Sequence, residues 1–172
     1  MKGSSVILFS LTATLASSLA FAAATAKKDS DFAMKAAQGG AAEVELGKLA
    51  QNQASDPKVK EFAQRMVADH SKAGDELKSA ASGMDLPQDP PKKAKAEAER
   101  LAKLQGADFD KEYSRYMLKD HEEDVAMFKK EASSGQDANL KGFAQKTLPT
   151  LEQHLQMARD LPANAKGGSK KG

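Results

Sequence analysis

Cysteine is absent from the 172 residues, which excludes a disulfide framework, a thiolate metal site, a cysteine nucleophile and a lipid-modified N-terminal cysteine. A dominant charge is missing too. Lys and Arg number 26 against 24 Asp and Glu, for a net charge of +2, so neither nucleic acid nor another strongly charged partner is expected. No stretch alternates apolar and polar residues between hairpin turns, which removes the case for a sheet. The chain also lacks a Gly-x-Ser-x-Gly nucleophile elbow and a phosphate-cradling glycine loop. Long apolar runs are scarce, and the one present opens the chain.

That run has the form of an export signal. Lys2 supplies the positive start, apolar residues dominate from Val6 to Leu19, and small residues follow. Ala24-Thr25-Ala26 fits the small-x-small rule for signal peptidase, so cleavage is expected before Lys27, with Ala20-Phe21-Ala22 as an earlier alternative. Ser10, Thr12, Thr14, Ser17 and Ser18 interrupt the run, leaving it short of the roughly 20 apolar residues of a membrane span. The expected organisation is a signal peptide over 1–26, one domain over 27–161 and a flexible basic tail over 162–172. No transmembrane segment is expected in the mature chain, and the periplasm is the expected location.

Within the domain, apolar residues recur at helical spacing in four segments. The first is expected to start at Asp31 and to present Phe32, Ala36, Gly39, Leu46 and Ala50, with Gly39-Gly40 allowing a neighbour to come close. Asp56-Pro57, a capping residue followed by proline at the first helical position, starts the second. Its stripe runs Val59, Phe62, Ala63, Met66, Val67, His70, Ala73, Leu77 and Ala81. Leu86-Pro87-Gln88-Asp89-Pro90-Pro91 cannot continue a helix and marks a crossover. Lys92 to Leu104, rich in Ala, Lys and Glu, reads as a short solvent-facing helix on that crossover.

The third main helix is expected over Asp108–Ser133, burying Phe109, Tyr113, Tyr116, Met117, Val125 and Phe128. The fourth runs from Asp137 to Leu161 with Leu140, Phe143, Ala144, Leu148, Leu151, Leu155 and Ala158 inward, and a kink is expected at Pro149. The fold class is therefore all-α: an antiparallel four-helix bundle with a short extra helix in the central crossover. The methionines, Met34, Met66, Met84, Met117, Met127 and Met157, sit at core spacing and read as gap-fillers rather than a copper-handling cluster.

Chemistry concentrates on the histidines. His70 and His121 each follow an aspartate, each lie roughly 13 residues and about 20 Å into a helix, and each sit among apolar neighbours. In an antiparallel arrangement both reach a common middle layer, with Glu43 of the first helix near it. His154 is expected about five residues, some 7 Å, from that level. Two or three imidazoles with a carboxylate suit a divalent transition metal. The di-iron signature of helical bundles wants Glu-x-x-His, yet Val67, Leu118 and Leu151 precede the three histidines by three. Two readings stand at this point. In one, Glu43, His70, His121 and His154 are metal ligands. In the other, the histidines are core-edge residues hydrogen-bonded to one another, to Glu43 or to backbone carbonyls. On that second reading Asp69 and Asp120, about 100° round their helices, are solvent-facing neighbours or partners of lysines. Ser71 and Ser114 are the serines near this layer, and neither stands in a nucleophile motif, so the chain reads as non-catalytic.

Phe32 with Gly39-Gly40, Glu43-Val44-Glu45-Leu46-Gly47-Lys48-Leu49-Ala50, and Val59-Lys60-Glu61-Phe62-Ala63 running into Met66-Val67-Ala68-Asp69-His70 resemble an exported bacterial family catalogued as domain of unknown function 4142. Phe109-Asp110, Met117-Leu118-Lys119-Asp120-His121 and Leu148-Pro149 before His154-Leu155 follow its pattern as well. The resemblance implies a ferritin-like bundle and places its motif positions at Glu43, His70, His121 and His154, with no reaction attached. By analogy with other ferritin-like exported bundles it suggests an envelope- or stress-associated binding protein, with an envelope protein as the expected kind of partner. A third reading makes Lys92–Leu104 a surface for such a partner.

Overall fold

The computed structural model describes residues 13–164, with side chains from Lys27 onward. Five helices make up this part: α1 Ala13–Gln53, α2 Pro57–Ala80, α3 Lys92–Leu101, α4 Gly106–Ser134 and α5 Ala138–Asp160. No strand occurs among the described residues, in line with the all-α expectation. None of the described helices is long and apolar enough to cross a membrane.

Local chemistry sets most of the boundaries. Asp56 stands in extended conformation and its carboxylate accepts from the N–H of Lys58, while Pro57, with no N–H to leave unsatisfied, opens α2. Asp137 plays the same part for α5, accepting from the N–H groups of Asn139 and Leu140. Gly83 and Gly106 take positive φ of 87° and 58°, where a side chain would be strained. They end the turn after α2 and begin α4. Helix α5 runs on through Pro149.

The start of α1 differs from the expectation. Asp31 is not a cap but an exposed residue inside a continuous helix. The alanine-rich stretch before it contains neither glycine nor proline, so nothing interrupts helical propensity there. Asp29, two residues earlier, is buried and has a different task. Its carboxylate accepts from the backbone N–H groups of Gln136 and Asp137, at 2.9 and 2.6 Å, ahead of α5. Asp110, near the start of α4, does the same ahead of α2, accepting from the N–H groups of Ser55 and Asp56 and from the Ser55 hydroxyl. The two halves of the chain thus close each other's connecting turns.

Helix α2 packs along α1 and α5 along α4, and the two pairs meet through α2 with α5 and α1 with α4. Gly47 is where α1 and α2 come closest: a Cβ there would lie 2.9 Å from Val67 Cγ2 and 3.0 Å from the Ala63 carbonyl oxygen. Gly39 and Gly40 do not have this role, since a Cβ at Gly39 would approach only Asp124 at 3.9 Å and one at Gly40 would meet nothing within 4 Å. Helix α3 is shorter than expected and less solvent-facing: it ends at Leu101 and buries Ala94, Ala98 and Leu101. Pro162 to Asn164 still belong to the folded body, because the Asn164 side chain donates to the carbonyls of Ser114 and Ala158. Lys166, Lys170 and Lys171 of the expected tail lie outside the described residues, as do residues 1–12 of the expected signal.

The core falls into two apolar clusters. One gathers Leu46, Phe62, Met66, Phe109, Tyr113, Met117 and Ala158. The other gathers Phe32, Leu77, Val125, Phe128, Phe143, Leu151 and Leu155. Along α1, α2 and α4 a buried polar residue falls between the two, Glu43, His70 and His121, and on α5 His154 is buried beside Leu155, one turn before Ala158 of the first cluster.

Candidate metal centre

The four side chains anticipated from the sequence meet in that layer. The imidazole centroids lie 5.8 Å apart for His70 and His121, 5.6 Å for His121 and His154, and 5.2 Å for His70 and His154. His154 is therefore not displaced along the axis, which corrects the expected 7 Å offset. Side chains on a helix lean toward its N-terminus. His121 and His154 each lean back along their own helix, so the level of a ring is not the level of its Cα, and counting residues from the turn between α4 and α5 misplaces it.

His121 and His154 each have one nitrogen fixed by a hydrogen bond, and all three rings keep one nitrogen free. The Nδ1–H of His121 donates to the Met117 carbonyl at 2.9 Å, one turn back on α4. The Nε2–H of His154 donates across to Asp69 of α2 at 2.8 Å. His70 Nδ1 lies 2.7 Å from Glu43 Oε2, close but without the alignment of a formed hydrogen bond. What remains is His70 Nε2, His121 Nε2 and His154 Nδ1, all buried and all without a hydrogen-bond partner. The rings offer ligand nitrogens within 4.8 Å of one another. His121 Nε2 also lies 3.2 Å from Glu43 Oε1, and both Glu43 oxygens are buried without a formed hydrogen bond.

Three unpartnered imidazole nitrogens and an unpartnered carboxylate in one dry layer are costly, since each has lost its water without compensation. Charge has adjusted accordingly. Burial pushes the Glu43 carboxyl well above the usual carboxylate range, and the nearby Asp120 charge adds to this. Burial lowers His70. It lowers His121 to about 3, with His70 contributing, and His154 to about 4 despite the hydrogen bond to Asp69. The imidazoles are thus held neutral at physiological pH, the form in which they ligate metals.

Asp69 and Asp120 depart from their expected place. Both are partly buried rather than solvent-facing. Asp69 fixes His154, and Asp120 brings an oxygen within 4.8 Å of ligand atoms of Glu43 and His121. A helix in a bundle has two neighbours, so a position about 100° from a core residue can point at the second neighbour instead of at water. Burial raises Asp120 to about 6, with Glu123 contributing. Two groups escaped the sequence reading. Asp124, one turn beyond Asp120, is also raised by burial and by Glu43, and its i, i+4 spacing from Asp120 was the available signal. The Tyr113 hydroxyl is buried without a partner, and burial together with Glu43 raises its pKa; as an aromatic at core spacing it gave no sign of this.

The donor set suits zinc or another borderline divalent ion: neutral imidazoles with a carboxylate beside them. The anchored nitrogens are the outer contacts such a site needs, because a carbonyl on His121 and a carboxylate on His154 set ring orientation and leave the opposite nitrogen bare. Beside this layer, a cavity of about 560 Å³ reaches Glu43 and His70. On comparison with known proteins, a family model described as a domain of unknown function (DUF4142) matches residues 14–161. No curated protein and no solved structure matches.

Proposed function

Because the chain belongs to the DUF4142 family, whose membership brings no reaction with it, we propose from the site alone that this is a metal-binding helical bundle. It holds one divalent transition ion on His70, His121 and His154, with Glu43 beside them. The observation that carries this is the pairing of fixed and free nitrogens: His121 and His154 are each oriented through one nitrogen, His70 stands 2.7 Å from Glu43, and each ring keeps a second nitrogen that is buried without a partner. A purely structural role for the histidines accounts for the fixed nitrogens only. Three buried imidazole nitrogens without a partner would then be a loss with no return.

The bundle is best read as four antiparallel helices of ferritin-like type. The short connections after α1 and α4 and the contacts between the two pairs support this. The residues do not repeat the Glu-x-x-His pattern of di-iron bundles, so the centre is of another kind. The N-terminal signal pattern supports export to the periplasm, where the protein would bind metal or guard against its redox chemistry as part of an envelope or stress response. An ion held there would supply a positive charge that returns Glu43 to its ionised form. Glu43 would then balance the charge, while Asp69 and the Met117 carbonyl hold their rings in place.

Among the described residues Met34 is the exposed large hydrophobic side chain. Helix α3 keeps its apolar face against the body and ties Arg100 to Glu97 and Glu112 on its outer side. The partner-surface reading of this segment therefore has no apolar patch to rest on.

The test is direct. Residues 27–172 are purified from the periplasm without a histidine tag, and bound metals are measured by mass spectrometry beside a His70→Ala/His121→Ala variant. About one ion per chain, lost in the variant, is the expected result. No ion in either protein, after attempted loading with zinc, iron, copper and manganese, would leave the histidines structural.

A further inference from the structure

The cavity beside the metal layer has features that ligand fixation does not explain. It is lined on one side by Leu77, Phe128, Phe143 and Leu151 and reaches Glu43 and His70 at its polar end. Both of those are nearly or wholly excluded from solvent, at 0% and 6% exposure, and both carry atoms with no hydrogen-bond partner. Its volume, about 560 Å³, falls within the range of small-molecule sites.

Two glycines shape it. Gly40 of α1 and Gly74 of α2 both line the cavity, and a Cβ built on either meets nothing within 4 Å. Neither has a positive φ. Glycine weakens a helix interior, and here neither backbone conformation nor close packing requires it. What the two glycines do is keep the space open. The exposed charged residues that line it are Glu45, Asp75 and Asp89 against Lys48 and Lys78, and Asp89 is paired with Lys95, so the entrance carries no strong field of either sign. Selection falls to the apolar wall and to the polar end.

We infer that the cavity binds a small organic molecule with an apolar body and an oxygen-donor end, the donor end completing the coordination of the ion held by the histidines. This rests on the metal reading above and adds the class of molecule the centre receives. Three imidazole ligands leave a divalent ion with room for a further donor, and the cavity reaches the layer on the side of His70 and Glu43. Small hydrophilic ligands would reach the ion too, but without using the wall.

Cobalt(II) loaded into the full mature chain makes this measurable, because its visible spectrum responds to a change of ligand. The spectrum is first recorded to establish cobalt stoichiometry, then followed during titration with benzohydroxamate and, separately, acetohydroxamate. These share one oxygen-donor end and differ in the apolar body. Benzohydroxamate is expected to bind about ten-fold more tightly. Gly74→Leu and Gly40→Leu, which add volume to the cavity at positions where a Cβ meets nothing within 4 Å, should abolish that preference while cobalt is still bound. Gly74→Ala, the smaller change, should lower the preference only in part and guards against a failure of Gly74→Leu to fold. Equal affinities for the two hydroxamates in the cobalt-loaded wild type, or a preference that survives both leucine substitutions, would overturn the cavity inference and leave the metal centre standing. Absence of cobalt at the first step would overturn the metal reading and the inference with it.

Discussion

Asp69 of α2 and His154 of α5, 85 residues apart in sequence, are joined by a 2.8 Å hydrogen bond that holds the His154 ring by Nε2 and leaves its buried Nδ1 without a partner. A carboxylate behind a metal-bound imidazole fixes its tautomer and raises its basicity, and loss of such a partner typically costs 10- to 100-fold in affinity. Asp69→Ala should therefore weaken metal binding by about that factor while the fold persists. Asp69→Asn, which can still accept from Nε2–H, should recover part of the loss. Competition with a chromophoric chelator measures both, and an affinity unmoved by Asp69→Ala would remove Asp69 from the site.

The buried ligands also make metal and stability one equilibrium. An ion present at about 100 times its dissociation constant should stabilise the protein by about 2.7 kcal/mol, roughly 5 to 10 °C in Tm for a domain of this size. Calorimetry with zinc and then with chelator should show the rise and its reversal. In His121→Asn the rise should be absent, and a full zinc response in that variant would exclude His121 as a ligand.

Much of this was readable beforehand. Asp56-Pro57 and Asp137 announced their helices because capping is a local interaction, settled within one turn. Glu43, His70 and His121 are legible because they lie at similar distances along their expected helices, among apolar neighbours. His154 was misplaced along the axis, since residue counting follows Cα positions and ignores the lean of side chains. Asp69, Asp120 and Asp124 were read as solvent-facing or passed over because the second neighbour of a helix is a tertiary fact. Asp31 has the chemistry of a cap, but a good capping residue says nothing about whether the helix before it continues.

Asp29 and Asp110 should have matching and independent effects on stability. Each is buried and accepts from two consecutive backbone N–H groups ahead of a helix in the other half of the chain. Removing either carboxylate strands those donors, at about 1–3 kcal/mol. Asp29→Ala and Asp110→Ala should each lower the unfolding free energy in urea by that amount, and the double variant by nearly the sum, because the two sites share no partners. A change under about 0.5 kcal/mol for either would show that water satisfies its turn equally well.

A pH dependence is expected away from the metal layer. Burial raises Glu131 to about 7, with the charges of Asp29 and Asp137 contributing, and its Oε1 has no hydrogen-bond partner. The folded state therefore holds a proton that the unfolded chain releases near its ordinary value, 4.5. Stability is lowered at pH above 7, and that cost fades as pH falls toward 4.5. Glu131→Gln should stabilise the protein at pH 8 and have little effect at pH 4. The gain should be about 1 kcal/mol rather than the full value of the shift, because part of the shift comes from the charges of Asp29 and Asp137, which salt screens. Urea unfolding at the two pH values measures it, and an equal gain at both would assign the effect to shape instead of charge.

The two apolar clusters each draw residues from α1, α2, α4 and α5. The natural units of cooperativity are therefore slabs lying across the bundle, at right angles to the covalent order of the chain. A polar plane between slabs couples them weakly, and an ion gripped from three helices in that plane would act as a rivet, converting two loosely joined halves into one body that opens all at once or not at all.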